Sequence, residues 1–362
     1  MTFFLNLIKK SVGKIFGLLD ELYLRATIKH IHGPKKIEYS KNEVVVICLV
    51  CESEFFIKSF IEHHFSLGVK HIVFLDNVSR DNTVSIARKY KNISIFSSNI
   101  FFGAEGLARN EFTRAVFVKH YLANRFCKDR WALFADVDEL FDYPFSDTVK
   151  LSSLLDYLNQ NSYTAVIAHT LDMFSDRPIS EQEEIGKDSL KKAGRYYDIT
   201  NIRKNDYYFR PFWMDPKKNI LSNKELKFYT GGIRKTIFGE DLWLTKHPLI
   251  FIEKVKITSA HCVDNVRCAD FSAVCFHYKL LGDFHKRILR YLQLGRIKKG
   301  FSIYAYYVKM AEKCEKDGIP AFKSGTAVML DSVNDLVKNG FLTVSNNYLE
   351  LVSRCAKKSG TG

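Results

Sequence analysis

Asp136 and Asp138 are the residues whose type and spacing point most directly to chemistry. They follow Trp131-Ala132-Leu133-Phe134-Ala135, a mostly apolar run that reads as a short buried strand, and Glu139 comes next. In extended backbone, side chains two residues apart project to the same side, so the two carboxylates are expected to point together. Such a pair is a hard oxygen ligand set for Mg²⁺ or Mn²⁺. An ion held there could neutralise a diphosphate leaving group. A solvated acidic turn after a strand would have the same residues, and the spacing alone does not choose between the two.

The elements that must position this pair alternate along the chain. Val44–Val50 is a continuous apolar, β-branched run, as in a strand buried on both faces. Phe55, Phe56, Ser59, Phe60, His63 and Leu67 form a helical face that ends at Gly68. Strands are expected over 71–75, 93–96 and 164–170, and helices over 83–90, 107–126 and 147–159. This alternation implies a doubly wound, mostly parallel α/β sheet with helices on both faces. Its ligand crevice should lie beyond the carboxyl ends of the strands. Cys51, Glu52, Asp76, Asp136 and Asp138 all fall at such ends.

The remaining segments frame that sheet. Residues 1–40 read as an amphipathic helix and linker: Phe4, Leu7, Ile8, Val12, Ile15, Phe16, Leu19, Leu22 and Tyr23 form a stripe, with Lys9, Lys10 and Lys14 off it. The helix suits either a membrane interface or packing on the protein body or a second copy. His32 to Lys36 reads as linker. Residues 41–282 form the α/β domain and 283–362 a helical C-terminal region. Within the domain, residues 175–226 are polar and aromatic, as in a mobile acceptor-binding flap or an irregular insertion.

The 362 residues carry 54 Lys+Arg against 40 Asp+Glu, a formal charge of +14 that favours anionic partners. No nucleic-acid-binding motif accompanies it, so nucleotides or an anionic membrane surface are the expected partners. Eight cysteines in a chain this long do not make a disulfide framework, and Cys48 and Cys51 lie inside an apolar run as core residues. No cleavable signal peptide is evident. A cytoplasmic protein is expected, peripheral on the inner face of the cytoplasmic membrane if the N-terminal stripe is interfacial.

Several ordered motifs resemble the bacterial glycosyltransferase family 2-like proteins. Glu52, Phe60-Ile61-Glu62-His63-His64, Leu67-Gly68-Val69-Lys70-His71 and Leu75-Asp76-Asn77-Val78-Ser79-Arg80-Asp81 are similar to the opening of that family. Asp136-Val137-Asp138 looks like its D-x-D element. Leu171-Asp172-Met173-Phe174, Gly231-Gly232-Ile233-Arg234-Lys235, Leu244 to Leu249 and Phe276-His277-Tyr278-Lys279 look like its later blocks. Cys51 stands where the family usually has Asn, and the usual Trp before the histidines is missing. The resemblance runs from about Glu43 to Arg296. It implies a GT-A fold and inverting, metal-dependent transfer of a sugar from a nucleotide donor, UDP-linked, to a cell-surface polysaccharide, lipopolysaccharide or lipid-linked glycan.

The resemblance also suggests roles. Glu52 and Asp76 could meet the uracil or ribose, although Asp76 to Ser79 could equally be a self-capped turn. Arg109 and Asn110, after Gly103 and Gly106, could meet the nucleotide or be an ordinary helix start. Asp136 and Asp138 would hold Mn²⁺ or Mg²⁺, with His261 or His277 as a third ligand or else as packed core residues. Asp172 and Asp241 compete for the catalytic base. A sugar nucleotidyltransferase would instead want a glycine-rich phosphate loop after the first strand, where this chain has Cys51-Glu52-Ser53-Glu54. A basic scaffold without turnover would bind membrane or nucleic acid and show no nucleotide chemistry.

Overall fold

Val44, Val46 and Cys48 alternate with Val45 and Ile47 along one strand, yet all five are buried. A strand so apolar on both faces must be covered on both sides, and that requirement builds the architecture. The structure, a computed structural model, describes residues 22–23, 25–99, 111–178, 181, 189–209, 218–253, 256–257, 262–282, 284–293, 305–317 and 322–359.

The central sheet has ten strands among the described residues. In chain order these are β1 (Lys29–His32), β2 (Val44–Val50), β3 (His71–Asp76), β4 (Ile93–Ser97), β5 (Trp131–Phe134), β6 (Glu139–Asp142), β7 (Ala165–Asp172), β8 (Ile220–Leu221), β9 (Thr245–Phe251) and β10 (Arg267–His277). Across the sheet they lie in the order β1-β4-β3-β2-β5-β9-β7-β10-β8, with β6 paired to β10. β2, β3, β4, β5, β7, β8 and β10 run one way, and β1, β6 and β9 run against them. The mixed α/β, mostly parallel sheet therefore matches the sequence expectation.

Helices cover both faces. α1 (Glu54–Leu67), α2 (Thr83–Ala87) and α4 (Leu151–Gln160) lie on the side of Val44 and Val46. α3 (Glu111–Phe126) covers the side of Val45 and Ile47 through Val118, Leu122 and Phe126. The apolar face of α1 ends at Gly68, whose φ of 104° provides the left-handed cap. His63 and His64 on this helix are core residues: the His63 ring donates to the Phe141 carbonyl at 2.6 Å, and burial pushes its pKa down to about 3. Beyond the sheet come α5 (Ile233–Phe238), α6 (Phe284–Gln293), α7 (Ala305–Asp317) and α8 (Asn346–Ser359). α8 returns to the sheet, where the Tyr348 ring stacks on Phe271 at 4.2 Å and its hydroxyl donates to the Pro144 carbonyl.

Two local expectations are corrected and a third segment gains detail. Residues 29–32, within the stretch read as helix and linker, form an edge strand paired antiparallel to β4, and of the linker His32 to Lys36 only His32 belongs to it. The segment expected to be a flap or an irregular insertion holds the strand Ile202–Asp206, paired antiparallel with Lys227–Gly231 just after it, and its Tyr197 and Tyr207 are buried. β5 stops at Phe134, so the acidic pair sits on a turn rather than in extended backbone. Of the N-terminal stripe only its end is described, as helix at 22–23 and 25–27 with Leu22 and Tyr23 exposed. The rest of residues 1–21 lies outside the described residues. None of the eight cysteines is in a disulfide. Among the described residues no helix is long and apolar enough to cross a membrane.

Candidate functional site

The parallel strands β2, β3, β5, β7 and β10 end on the same side of the sheet, where their last residues gather a polar cluster. Two loops brace one flank. After β2, Glu52 has a φ of 48°, and after β3, Val78 has a φ of 56° although its branched side chain disfavours that region. Backbone N–H groups of Glu52, Ser53 and Glu54 donate to Ser79 Oγ, Thr83 Oγ1 and Asp81 Oδ2 at 2.9, 2.7 and 3.0 Å. Glu52 Oε1 accepts from the Arg80 N–H at 2.9 Å. Asp76 is buried and both its oxygens accept from the Ser79 N–H, at 3.2 and 3.1 Å. Burial raises the Asp76 pKa despite those bonds. The self-capped turn foreseen for Asp76 is thus present, and Glu52 sits against the same loop.

The turn after β5 separates the two aspartates. Asp136 keeps its side chain 45% exposed and faces two lysines, Lys246 Nζ at 3.4 Å and Lys119 Nζ at 3.7 Å. Asp138 is buried and turns to Lys279 Nζ at 3.0 Å and His277 Nε2 at 3.6 Å. The expectation that the pair would point together fails here, because side-chain alternation belongs to extended strands and not to turns. Glu139, at the start of β6, forms a buried ion pair with Lys246. Burial disfavours the charged lysine, but Glu139 and Asp136 outweigh it and raise its pKa.

Asp172 closes the cluster from the end of β7. His277 Nδ1 lies 2.5 Å from Asp172 Oδ1, and Arg234 Nε donates to Asp172 Oδ2 at 2.7 Å. Both of its oxygens are therefore engaged. Lys279–Asp138–His277–Asp172–Arg234 is one connected chain of charge, buried except at Lys279. Burial opposes an imidazolium at His277, but Asp138 and Asp172 outweigh it and raise its pKa. Burial would likewise push Asp138 up, yet Lys279 and His277 hold it well below the usual carboxylate range. Asp172 is lowered against burial by Arg234 and His277.

The other expected site residues divide. Asp241 lies in the segment entering β9, paired with Arg203 and with Lys235 Nζ at 3.3 Å. Arg109, Asn110 and His261 lie outside the described residues. As a test of metal fit, Asp138 and His277 offer an oxygen and a nitrogen donor side by side, but Lys279 occupies the Asp138 carboxylate. Among the described residues no three His, Cys, Asp or Glu side chains converge as a metal site. The arrangement as it stands is a salt-bridge network.

No family model and no curated protein matches the chain. Solved structures similar to part of it include the following two. TarS from S. aureus matches at 17% identity over 38% of this chain and 24% of its own, with a TM-score of 0.27. The mannosyltransferase PcManGT from Pyrobaculum calidifontis, in complex with GDP-Man and Mn²⁺, matches at 15% identity over 44% of each chain, with a TM-score of 0.26. The chain thus spans less than half the length of either. The chemistry has to be argued from the site.

Sequence reasoning missed the cations. Lys246, Lys279 and Arg234 complete the cluster, and each sits inside a block already singled out for its resemblance: Leu244 to Leu249, Phe276 to Lys279 and Gly231 to Lys235. Lys119 carried no such signal. It sits on α3, and its reach to Asp136 is set by how that helix packs against β5.

Proposed function

We propose that the protein is a glycosyltransferase that moves a sugar from a UDP-linked donor to a glycan or lipid-linked acceptor. The observation that carries this reading is the gathering of Glu52, Asp76, Asp136, Asp138, Asp172 and His277 at the carboxyl ends of the parallel strands β2, β3, β5, β7 and β10. That is where open α/β sheets take nucleotides. β3 and β5 flank β2, so Asp76 and the acidic turn are about 10 Å apart across the sheet, a nucleotide-sized span. In this reading uracil and ribose lie by Glu52 and Asp76, and the diphosphate faces Asp136, Lys246 and Lys279. Asp172, with both oxygens engaged, orients His277 and is not the base. The base role goes to Asp241, which would take the proton of the acceptor hydroxyl. The hydroxyl oxygen then attacks the anomeric carbon and the bond to diphosphate breaks, with inversion.

A divalent ion, Mn²⁺ or Mg²⁺, would be held in this proposal at Asp138, since Asp136 faces other lysines and both nitrogens of the charged His277 face carboxylates, and it would neutralise charge on the leaving diphosphate. Lys279 must first release Asp138. A nucleotidyltransferase is disfavoured by the loop after β2: its N–H groups at Glu52, Ser53 and Glu54 are taken by protein acceptors and cannot cradle a phosphate. The test is titration calorimetry with UDP and GDP, with and without Mn²⁺, followed by detection of nucleoside diphosphate released from a panel of nucleotide sugars. Binding of UDP and release of UDP from at least one sugar donor are expected. Absence of nucleotide binding under every condition would overturn the reading. Asp241→Asn should lower kcat and leave the donor KM little changed, whereas an unaffected kcat removes Asp241 from the base role.

A further inference from the structure

The C-terminal helices reach the crevice, and they meet it around one lysine. Lys279 follows β10 and ends the chain of charge that runs through Asp138, His277 and Asp172 to Arg234. Its side chain is 20% exposed, whereas none of the others exceeds 8%. An anion entering the crevice therefore meets that chain first at Lys279.

Two contacts from outside the sheet fix this lysine. Arg287, on α6, donates from Nη2 to the carbonyls of Lys279 and Leu281 at 3.1 and 2.9 Å. Its guanidinium rests on the rings of Phe55 and Phe56, on α1, at 4.7 and 5.0 Å. Arg287 thus holds the main chain of Lys279. Tyr307, on α7, holds the side chain: Lys279 Nζ stands over its ring, 4.4 Å from the centre. The same tyrosine is buried and its hydroxyl lies 3.5 Å from Arg234 Nη1, so one side chain touches both ends of the chain of charge. The Asp138 carboxylate grips the ammonium by a directed bond at 3.0 Å. The ring attracts it through its quadrupole, without a directed bond. An ammonium held in that way can turn on its flexible stem toward a new anion and stay over the ring. An alkyl side chain in place of Tyr307 would leave the charge partly desolvated with nothing to offset that cost.

We propose that Lys279 is the cation that meets the charge of the leaving diphosphate, and that Tyr307 is the positioning residue that keeps it within reach of both Asp138 and that anion. The inference rests on the reading of the crevice as a nucleotide-sugar site, and it makes α6 and α7 part of that site. When the bond from the anomeric carbon to the β-phosphate oxygen breaks, its electron pair stays on that oxygen. Lys279 pairs with the added negative charge and gives up no proton.

The experiment is calorimetric titration of the full-length protein with inorganic pyrophosphate in metal-free buffer, joined to donor kinetics. Wild type is expected to bind pyrophosphate. Lys279→Met should weaken that binding about tenfold, the scale of a hydrogen bond to a charged group. Tyr307→Leu should weaken it about threefold to tenfold, the scale of a partly desolvated cation over a ring. Tyr307→Phe keeps the ring and should restore the affinity to within about twofold of wild type. In the Lys279→Met background Tyr307→Leu should add nothing, because the tyrosine acts through the lysine. Replacing Tyr307 by pentafluorophenylalanine keeps the shape and reverses the quadrupole, so it should weaken binding as Tyr307→Leu does. This variant keeps the test decisive if Tyr307→Leu unfolds. With a nucleotide sugar the loss should fall on kcat more than on KM, since charge on the diphosphate grows as the bond breaks. The proposal is overturned if wild type binds no pyrophosphate, if Tyr307→Leu or the pentafluoro variant keeps wild-type affinity, or if the double variant shows an additive loss. Turnover of no nucleotide sugar, with the pyrophosphate results as expected, would overturn the transferase reading and leave Lys279 and Tyr307 as a diphosphate-binding pair.

Discussion

His277 stands between two buried carboxylates, and its positive charge offsets the cost of burying both. Its pKa is raised above 6.5, so its contribution to stability is full below the ordinary histidine range and is lost as pH rises through the raised value. Asp138 and Asp172 are lowered, so theirs is present above the ordinary carboxylate value and lost as pH falls through their folded values. The network is therefore strongest between those two limits. His277→Gln should cost about 3–5 kcal/mol there, the scale for breaking a buried ion pair. The difference in Tm from wild type should narrow as pH rises past the histidine range. A Tm difference that instead widens as pH rises through the ordinary histidine range would mean that His277 is neutral in the fold. Lys279 makes a second prediction possible, because it competes with any added cation for Asp138. Lys279→Met should tighten Mn²⁺ binding, read by calorimetry, and Asp138→Asn should abolish that gain. If Lys279→Met leaves Mn²⁺ affinity unchanged, the acidic turn is not where the ion goes.

The elements show what the sequence revealed and where it stopped. β2, β3, β7 and α1 were legible because their apolar runs and helical face are local patterns, and their ends located Glu52, Asp76 and Asp172. The turn at Asp136 to Asp138 was not, since a strand one residue shorter or longer has the same composition. The ion pairs were hidden for another reason. Lys246 meets Glu139 from 107 residues away, through an antiparallel β9 inserted between β5 and β7 that no local pattern announces. β1 was missed because His30 and His32 are poor strand signals beside Gly33-Pro34. Its position nevertheless depends on Gly33, which has a φ of 76° and whose added Cβ would lie 1.9 Å from the Ile93 carbonyl oxygen. Gly33→Ala should therefore destabilise the protein by more than about 1 kcal/mol, beyond the usual cost of alanine at positive φ. Hydrogen exchange should localise the loss to β1 and β4. Unchanged protection of Ile93 to Ser97 would show that the edge strand contributes little.

At the scale of the whole molecule, charge and surface meet. The +14 balance is far from neutral, a net excess of basic residues that attracts an anionic surface. Leu22 and Tyr23, at the end of the N-terminal stripe, are 53% and 57% exposed, so the described part of that stripe is not packed into the core. An interfacial helix would place Phe4, Leu7, Ile8, Val12 and Ile15 among headgroups with Lys9, Lys10 and Lys14 near anionic lipid. Each such basic residue contributes about 1 kcal/mol, and salt erodes that part. Deleting residues 1–25 should release the protein from phosphatidylserine-containing vesicles at low salt. The deletion should leave nucleotide binding unchanged, because the crevice is built from residues after Val44. Full-length protein should dissociate only in part when salt is raised, since the apolar stripe remains inserted. Co-sedimentation of the truncated protein with those vesicles would assign the membrane affinity to the basic body of the molecule. A truncated protein that no longer folds would mean that the stripe packs on the domain.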